Sequence, residues 1–115
     1  MVKKVAAFAL LTWGAVVFAS VDKNSGAAIF SERGCTMCHA MDAETVGPSI
    51  RTIGMRYSGN ENGLVAYLKG QAQPIVYPER DMMMRPQLMK IGNLYEEEYR
   101  SLARYLITAF MRTDF

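Results

Sequence analysis

A single pentapeptide, Cys35-Thr36-Met37-Cys38-His39, constrains this chain more than any other feature of its sequence. A C-x-x-C-H sequence is the attachment motif for c-type haem, in which two thiols form thioether bonds to the vinyl groups of the porphyrin. The two intervening residues let both cysteines reach those vinyl groups from one turn of backbone. The histidine that follows then lies beneath the ring, where an imidazole nitrogen can bind the iron. The motif therefore predicts one covalent haem c, held by Cys35 and Cys38, with His39 as the proximal iron ligand.

Three other interpretations of the two cysteines explain less of the motif. Structural zinc sites use four protein ligands, whereas two cysteines and one histidine supply three. A thioredoxin-like redox pair would stand in a βαβ context, and no strand pattern flanks Cys35 and Cys38. A disulfide between them would close a very small loop and stabilise the chain little. None of the three accounts for a histidine directly after the second cysteine.

The N-terminal segment has the composition of an export signal. Lys3 and Lys4 precede an almost uninterrupted apolar run over residues 5–19, which is a basic n-region followed by an h-region. Val17 and Ala19 place small residues at the minus-three and minus-one positions, so we expect cleavage after Ala19. The run is shorter than the roughly 20 residues of a spanning helix, although an uncleaved membrane anchor is the alternative. We predict a signal peptide over 1–19 and one haem domain over 20–115.

The charge balance argues against a nucleic-acid partner. The full chain has 13 lysines and arginines against 11 acidic residues, and loss of Lys3 and Lys4 leaves eleven of each sign. No broad basic field of the kind used for nucleic-acid binding is left. About 96 residues would follow the signal, which is enough for one domain with a modest core.

Helical spacing and turn residues predict an all-α domain, because no convincing period-two run occurs anywhere in the chain. Four helices are expected, over residues 25–33, residues 49–57, the segment between Asn60 and Gly70, and the segment from Glu96 onward. The last is the clearest. Three glutamates at its start complement the helix dipole, and Tyr99, Leu102 and Leu106 form an apolar stripe.

The segment before the last helix is expected to be a long strap rather than an element. Residues 71–92 contain three prolines and little periodicity, which indicates irregular backbone. Long irregular segments inside compact domains are usually functional. This strap carries four methionines: Met82, Met83, Met84 and Met89.

Together these features resemble a small bacterial class I cytochrome c over essentially all of residues 22–115. The haem motif directly follows the first helix, Gly26 and Phe30 stand four apart on that helix, and Leu102 and Tyr105 stand three apart on the last one. The resemblance implies that these four residues form the crossing of the N- and C-terminal helices. It also implies the class I fold, in which three to five helices wrap around one covalently attached haem.

The same resemblance gives a role to the loop after the motif. Gly47-Pro48 matches the family's loop, in which the carbonyl group of the proline accepts a hydrogen bond from the proximal histidine. Such a bond would orient the imidazole of His39 and raise its basicity, so Pro48 is expected to support the iron ligand. Haem attachment of this type takes place on the outer side of bacterial membranes, and the resemblance therefore implies a periplasmic location.

A methionine is expected as the distal iron ligand. His39 is the only histidine, so the chain cannot supply two histidine ligands, and the family keeps a methionine ligand in its strap. Met84 is followed by Arg85-Pro86-Gln87, and related small cytochromes have a similar Met-x-Pro-Gln arrangement at the ligand position. Met89 is the runner-up, since its distance to the final helix suits some shorter-strapped relatives. Met82 and Met83 are further candidates for the distal ligand.

This ligation predicts an electron carrier rather than an enzyme. With both axial positions filled, the iron would have no open site for a substrate, and a soft thioether ligand favours ferrous iron and raises the reduction potential. The protein would shuttle electrons between periplasmic or membrane redox partners in transient encounters, which typically bury under about 1,200 Å². Two alternatives are a haem subunit that relays electrons within an oxidoreductase complex, and a five-coordinate haem sensor in which no methionine binds.

Overall fold

The computed structural model describes residues 25–113, which contain five α-helices and no strand. The helices are α1 (Gly26–Glu32), α2 (Ile50–Arg56), α3 (Glu61–Leu68), α4 (Asp81–Lys90) and α5 (Glu96–Thr108). Short 3₁₀ turns lie at Cys35–Met37, Pro78–Arg80 and Ala109–Thr113. The prediction of an all-α domain is confirmed. The predicted signal peptide over 1–19 lies outside the described residues.

Side-chain caps begin three of the helices where the sequence predicts helix starts. Ser25, Ser49 and Asn60 precede α1, α2 and α3, and each accepts a hydrogen bond from the backbone N–H three residues further on, at 3.1, 3.0 and 3.0 Å. These bonds satisfy N–H groups that have no partner inside the helix. Gly34 follows α1 in the left-handed conformation, with a φ of 78°, and turns the chain into the cysteine motif.

α5 is the helix against which the first three helices pack. Its inner face includes Leu102 and Ala103, which are 1% and 0% exposed. α1 crosses α5 at Gly26, where a Cβ atom would overlap the carbonyl oxygen of Ser101. The rings of Phe30 and Tyr105 meet one turn away, with their centroids 5.5 Å apart. The predicted crossing of the first and last helices is confirmed by these contacts.

The predicted strap over residues 71–92 is wrong in its second half. α4 occupies Asp81–Lys90, and Pro86 lies inside this helix. The proline removes one backbone hydrogen bond, but it lies on an exposed side of the helix, while Leu88 is only 5% exposed and belongs to the core. This helix was not predicted because most of its methionines face solvent, and the segment therefore has no apolar stripe of helical period.

No helix within residues 25–113 combines the length and the apolar character needed to cross a bilayer.

Candidate haem-binding site

An apolar cavity of about 240 Å³ lies inside the helical core. All five helices contribute to its wall, as do the loops that join them. The aliphatic and aromatic part of the wall is made of core side chains, among them Phe30, Ile53, Leu64, Leu68, Leu102 and Leu106. The cavity is therefore enclosed by the same residues that hold the helices together.

The two cysteines of the motif line one wall of this cavity. The backbone N–H groups of Cys38 and His39 both donate to the carbonyl oxygen of Cys35, at 3.2 and 3.1 Å, so the motif forms one tight turn. Both thiols are free and half-buried. Burial raises the pKa of the Cys35 thiol, although the charge of Arg33 lowers it in part. The turn thus presents two free thiols to the cavity.

His39 lines the cavity next to these thiols, and its protonation pattern follows from its partner. Its Nδ1 atom is 2.7 Å from the carbonyl oxygen of Pro48. Because a carbonyl oxygen only accepts hydrogen bonds, Nδ1 carries the proton and Nε2 keeps its lone pair for a metal ion. This is the hydrogen bond expected for Pro48, and it fixes the orientation of the imidazole.

Gly47 lets the loop approach the imidazole ring of His39 closely. A Cβ atom at this position would lie 2.6 Å from the Cε1 atom of His39 and 2.9 Å from its Nδ1 atom. The N–H group of Gly47 also donates to the carbonyl oxygen of Cys38 at 2.8 Å. The loop can hold the imidazole this closely only because residue 47 has no side chain.

Replacing Gly47 by alanine is expected to disturb the histidine. The new methyl group must displace the imidazole or the loop, and overpacking of this kind costs about 1–3 kcal/mol. The haem-loaded variant should therefore lose its low-spin absorption at a lower denaturant concentration than the unmodified protein. Gly92→Ala is the matched control, since a Cβ there meets only the Met89 carbonyl oxygen, at 3.3 Å. Equal denaturation midpoints for both variants would contradict this account of Gly47.

A carboxylate ties the loop after the motif to the start of α2. Glu44 accepts hydrogen bonds from the backbone N–H of Ser49 at 2.8 Å and from the hydroxyl group of Thr52 at 3.0 Å. Tyr77, a cavity-lining residue, also acts on this carboxylate and contributes to the lowering of its pKa. These bonds, led by that from Ser49, lower the pKa of Glu44 to about 2.

Tyr77 itself has a strained backbone. Its φ is 49°, in the left-handed region, and it is the one non-glycine residue of the described segment with a positive φ. For an L-residue with a Cβ atom this conformation costs roughly 1–2 kcal/mol. The guanidinium group of Arg80 lies 4.2 Å from the ring centroid and packs on the tyrosine.

Glu44 is expected to give the protein an acid-sensitive loop. Its pKa falls from an ordinary 4.5 to about 2 in the folded state, so its contribution to the free energy of unfolding is complete above pH 4.5 and is lost as the pH falls toward 2. The Glu44→Gln substitution removes this pH-dependent contribution to the free energy of unfolding. The stability difference between the unmodified protein and the variant, measured by denaturant unfolding, should therefore shrink steadily from pH 5 to pH 2. A difference that stays constant over that window would contradict the assignment.

The methionines of α4 differ sharply in their surroundings. Met84 is half-buried, packs against the core and lines the cavity. Met83 also lines the cavity, but 59% of its surface is exposed. Met82 and Met89 are 84% and 82% exposed and contribute nothing to the cavity wall. The structure therefore brings Met84 to the same cavity as His39 and places the runner-up, Met89, outside it.

A polar network between α3 and the start of α4 was not anticipated from the sequence. The hydroxyl group of Tyr67 donates to Asp81 Oδ1 at 2.7 Å, and Arg85 Nε donates to Asp81 Oδ2 at 2.6 Å. Burial, followed by the bond to Asp81, raises the pKa of Tyr67 above its ordinary range, so its hydroxyl group stays a donor. The signal that could have revealed part of this network is the spacing of Asp81 and Arg85, four apart on one helix.

Three cations of the cavity wall have no carboxylate partner among the described residues. They are Arg33, Arg80 and Lys90. Arg33 instead donates to the side-chain oxygen of Asn93 at 2.9 Å, and Arg80 stacks on a tyrosine ring. By contrast, Arg100 and Arg104, which are not in the wall, pair with Glu61. The charge of the wall therefore suits a ligand with negative groups at its edge.

The residues of the cavity wall fit a covalently attached haem. The wall supplies two free thiols at C-x-x-C-H spacing, an imidazole with an available nitrogen, apolar surface for the porphyrin and, for its propionates, cations that have no carboxylate partner within residues 25–113. Crossed terminal helices around such a cavity define a small class I c-type cytochrome. The family model for cytochrome c matches residues 24–109, and the chain belongs to the cytochrome c family.

Two relatives agree with this assignment over alignments of different length. The cytochrome c-551 of Azotobacter vinelandii is 40% identical over 35 residues, which cover 30% of this chain and 43% of that protein. The cytochrome c-551 of Pseudomonas aeruginosa is 24% identical over 109 residues, which cover 92% of this chain and 97% of that protein. The protein is an electron-transfer protein rather than an enzyme, and it carries one covalent haem c.

Proposed function

We propose that the protein is a one-electron carrier that shuttles electrons between periplasmic or membrane redox partners, with His39 and Met84 as the axial ligands of its haem iron. The observation that carries the proposal is that His39 and Met84 line one apolar cavity. They come from different parts of the chain, His39 from the loop after α1 and Met84 from α4. Two ligands at one cavity leave the iron saturated, and a saturated iron transfers electrons without binding a substrate.

When bound, the haem supplies a one-electron couple between ferric and ferrous iron. Cys35 and Cys38 hold the ring by its vinyl groups, and the bond from Pro48 keeps the His39 ring in a single orientation. The aliphatic wall excludes water and lowers the local dielectric constant, which disfavours the extra positive charge of the ferric state. A thioether ligand acts in the same direction. Both effects raise the reduction potential.

The rim of the cavity supports transient contact with a partner. Val46 and Met83 line the cavity and are 52% and 59% exposed, so apolar surface continues from the wall to the outside. Arg80 and Lys90, also exposed, add positive charge at the wall. A small apolar contact with a charged border suits the weak encounters of redox proteins, which turn over quickly because they bury little surface.

Export and haem attachment can be tested on one sample. We expect the intact mass of the protein, purified from a periplasmic fraction of a haem-competent bacterium, to equal that of residues 20–115 plus one haem. Thioether attachment keeps the haem on the chain after acid denaturation, because the bonds are covalent. Recovery of the unmodified dithiol would overturn the attachment through Cys35 and Cys38, and a haem-loaded chain that retains residues 1–19 would replace the signal peptide by an anchor.

The same sample tests axial saturation. Carbon monoxide binds ferrous haem only where an axial position is open or easily opened, so the reduced protein should keep its spectrum when the gas is added. Rapid formation of a carbon monoxide complex at low gas concentration would overturn the carrier proposal and favour the five-coordinate sensor. Tight copurification with a larger enzyme would favour the relay subunit instead.

A further inference from the structure

We propose that Asp81 and Arg85 form a charge pair that positions Met84 and sets the reduction potential of the haem. Asp81 anchors the first turn of α4 to α3 through Tyr67, and its charge, balanced by Arg85, acts on the cavity that it lines. This inference rests on the proposed ligation by His39 and Met84.

The two oxygen atoms of Asp81 serve two different elements. Oδ1 accepts from the Tyr67 hydroxyl group on α3, and Oδ2 accepts from Arg85 Nε on α4. Met84 lies within the turn that runs from Asp81 to Arg85, so both ends of the turn that bears the methionine are held. A rigid frame of this kind fixes where a side chain of the turn can reach.

Arg85 extends the frame beyond the helix. Its guanidinium group lies 5.9 Å from the centroid of the Tyr67 ring, and its Nη2 atom is 3.5 Å from the carbonyl oxygen of Ala72. The arginine therefore contacts α3, the segment that follows α3, and Asp81 on its own helix. Removal of either charged partner would loosen the same joint between α3 and α4.

The carboxylate of the pair is shielded from water, whereas the guanidinium group is more exposed, so the charge of Asp81 acts on the cavity more strongly than a surface charge would. The side chain of Asp81 is 16% exposed and that of Arg85 is 37% exposed, and Asp81 lines the cavity. A charge in a shielded site acts on its surroundings more strongly than the same charge in water. In the intact pair the two charges largely cancel, whereas loss of one partner leaves the other uncompensated.

This arrangement predicts shifts of opposite sign from two conservative variants. Asp81→Asn removes a negative charge beside the haem and leaves Arg85 unbalanced, which disfavours ferric iron and raises the reduction potential. Arg85→Gln leaves the carboxylate unbalanced, stabilises ferric iron and lowers the potential. Simple loosening of the joint would instead shift both variants the same way, because each would admit water to the same cavity.

The experiment compares equilibrium redox titrations of the haem-loaded proteins. At one fixed ambient potential we expect the ratio of oxidised to reduced protein to fall about threefold in Asp81→Asn and to rise about threefold in Arg85→Gln. Asp42→Asn is the matched control, since Asp42 also pairs with an arginine, Arg51, at 2.7 Å but is not part of the cavity wall. The ratio of oxidised to reduced protein in Asp42→Asn should equal that of the unmodified protein.

The Tyr67→Phe variant tests whether the Asp81–Arg85 pair positions Met84. The variant keeps the ring in the wall and removes the donor to Asp81, so external imidazole should replace the methionine ligand at an about threefold lower concentration than in the unmodified protein. Equal imidazole concentrations would overturn the positioning role, and potentials that are unchanged or shift in one direction would overturn the charge-setting role. The far-red sulfur-to-iron band of the unmodified ferric protein reports the ligation independently. If the band is absent, methionine does not bind the iron and the proposed ligation is overturned. If the band is present but the Asp81→Asn and Arg85→Gln variants keep the potential of the unmodified protein, only the proposed role of the Asp81–Arg85 pair is overturned.

Discussion

Replacement of Met84 by alanine is expected to abolish the far-red sulfur-to-iron charge-transfer band of the ferric protein and to lower its reduction potential sharply. The change removes the soft neutral ligand that favours ferrous iron. Axial ligands account for haem potentials over a range of about 0.8 V, so the fall should exceed that caused by any surface substitution. Absorption spectra of the oxidised protein and a redox titration measure the two effects.

Met89→Ala is the matched control for this result. Met89 lies on the same helix and is 82% exposed, away from the cavity, so its loss should leave both the band and the potential unchanged. The opposite pattern, in which Met89→Ala removes the band and Met84→Ala retains it, would reverse the ligand assignment. Loss of the band in Met83→Ala alone would move the ligand by one residue, to the other methionine of the cavity wall.

Replacement of Gly26 by alanine is expected to cause the largest loss of stability of any single methyl group added to the described helices. The Cβ atom would overlap the carbonyl oxygen of Ser101 and lie 2.5 Å from the Cβ atom of Tyr105. Neither atom can rotate away, since one belongs to the backbone of α5 and the other is fixed to it. The helices must separate, at a cost of about 3 kcal/mol or more. Unfolding by denaturant, followed by the helical circular dichroism signal, measures the loss.

Helix propensity alone would predict the opposite sign. Alanine in place of glycine favours a helix by up to about 1 kcal/mol, so a stabilised Gly26→Ala variant would show that α1 and α5 do not cross closely at this point. Gly92→Ala serves as the control, because its nearest atom at 3.3 Å is the Met89 carbonyl oxygen. The free energy of unfolding of Gly92→Ala should stay within about 0.5 kcal/mol of that of the unmodified protein.

The parts of the fold that depend on local chemistry were predictable. The starts of α1, α2 and α3 near Ser25, Ser49 and Asn60 and the apolar stripe of α5 depend on short stretches of sequence, and the structure has them where they were expected. The grouping of Cys35, Cys38 and His39 was predictable for the same reason, since the three residues are neighbours in the chain. The crossing at Gly26 could be expected only from the family resemblance, because nothing local joins residue 26 to residue 101.

The helix α4 shows where sequence reasoning fails. Three prolines within residues 71–92 suggested irregular backbone, but Pro86 costs one exposed hydrogen bond, and the burial of Leu88 together with the Asp81–Arg85 pair stabilises the helix. The partner of Asp81 on α3, Tyr67, is 14 residues distant along the chain. Such a contact depends on how two helices pack, and no pattern within either helix predicts it.

The enclosure of the cavity by core residues has a consequence for how the protein keeps its fold. A cofactor that binds reversibly stabilises a protein only in proportion to its free concentration relative to its dissociation constant. Here the two thioether bonds make the haem part of the chain, so dilution cannot remove it. Phe30, Leu64 and Leu102, which line the cavity, would thereby pack on the haem as on another part of the chain, and the folded state would not depend on any surrounding pool of haem.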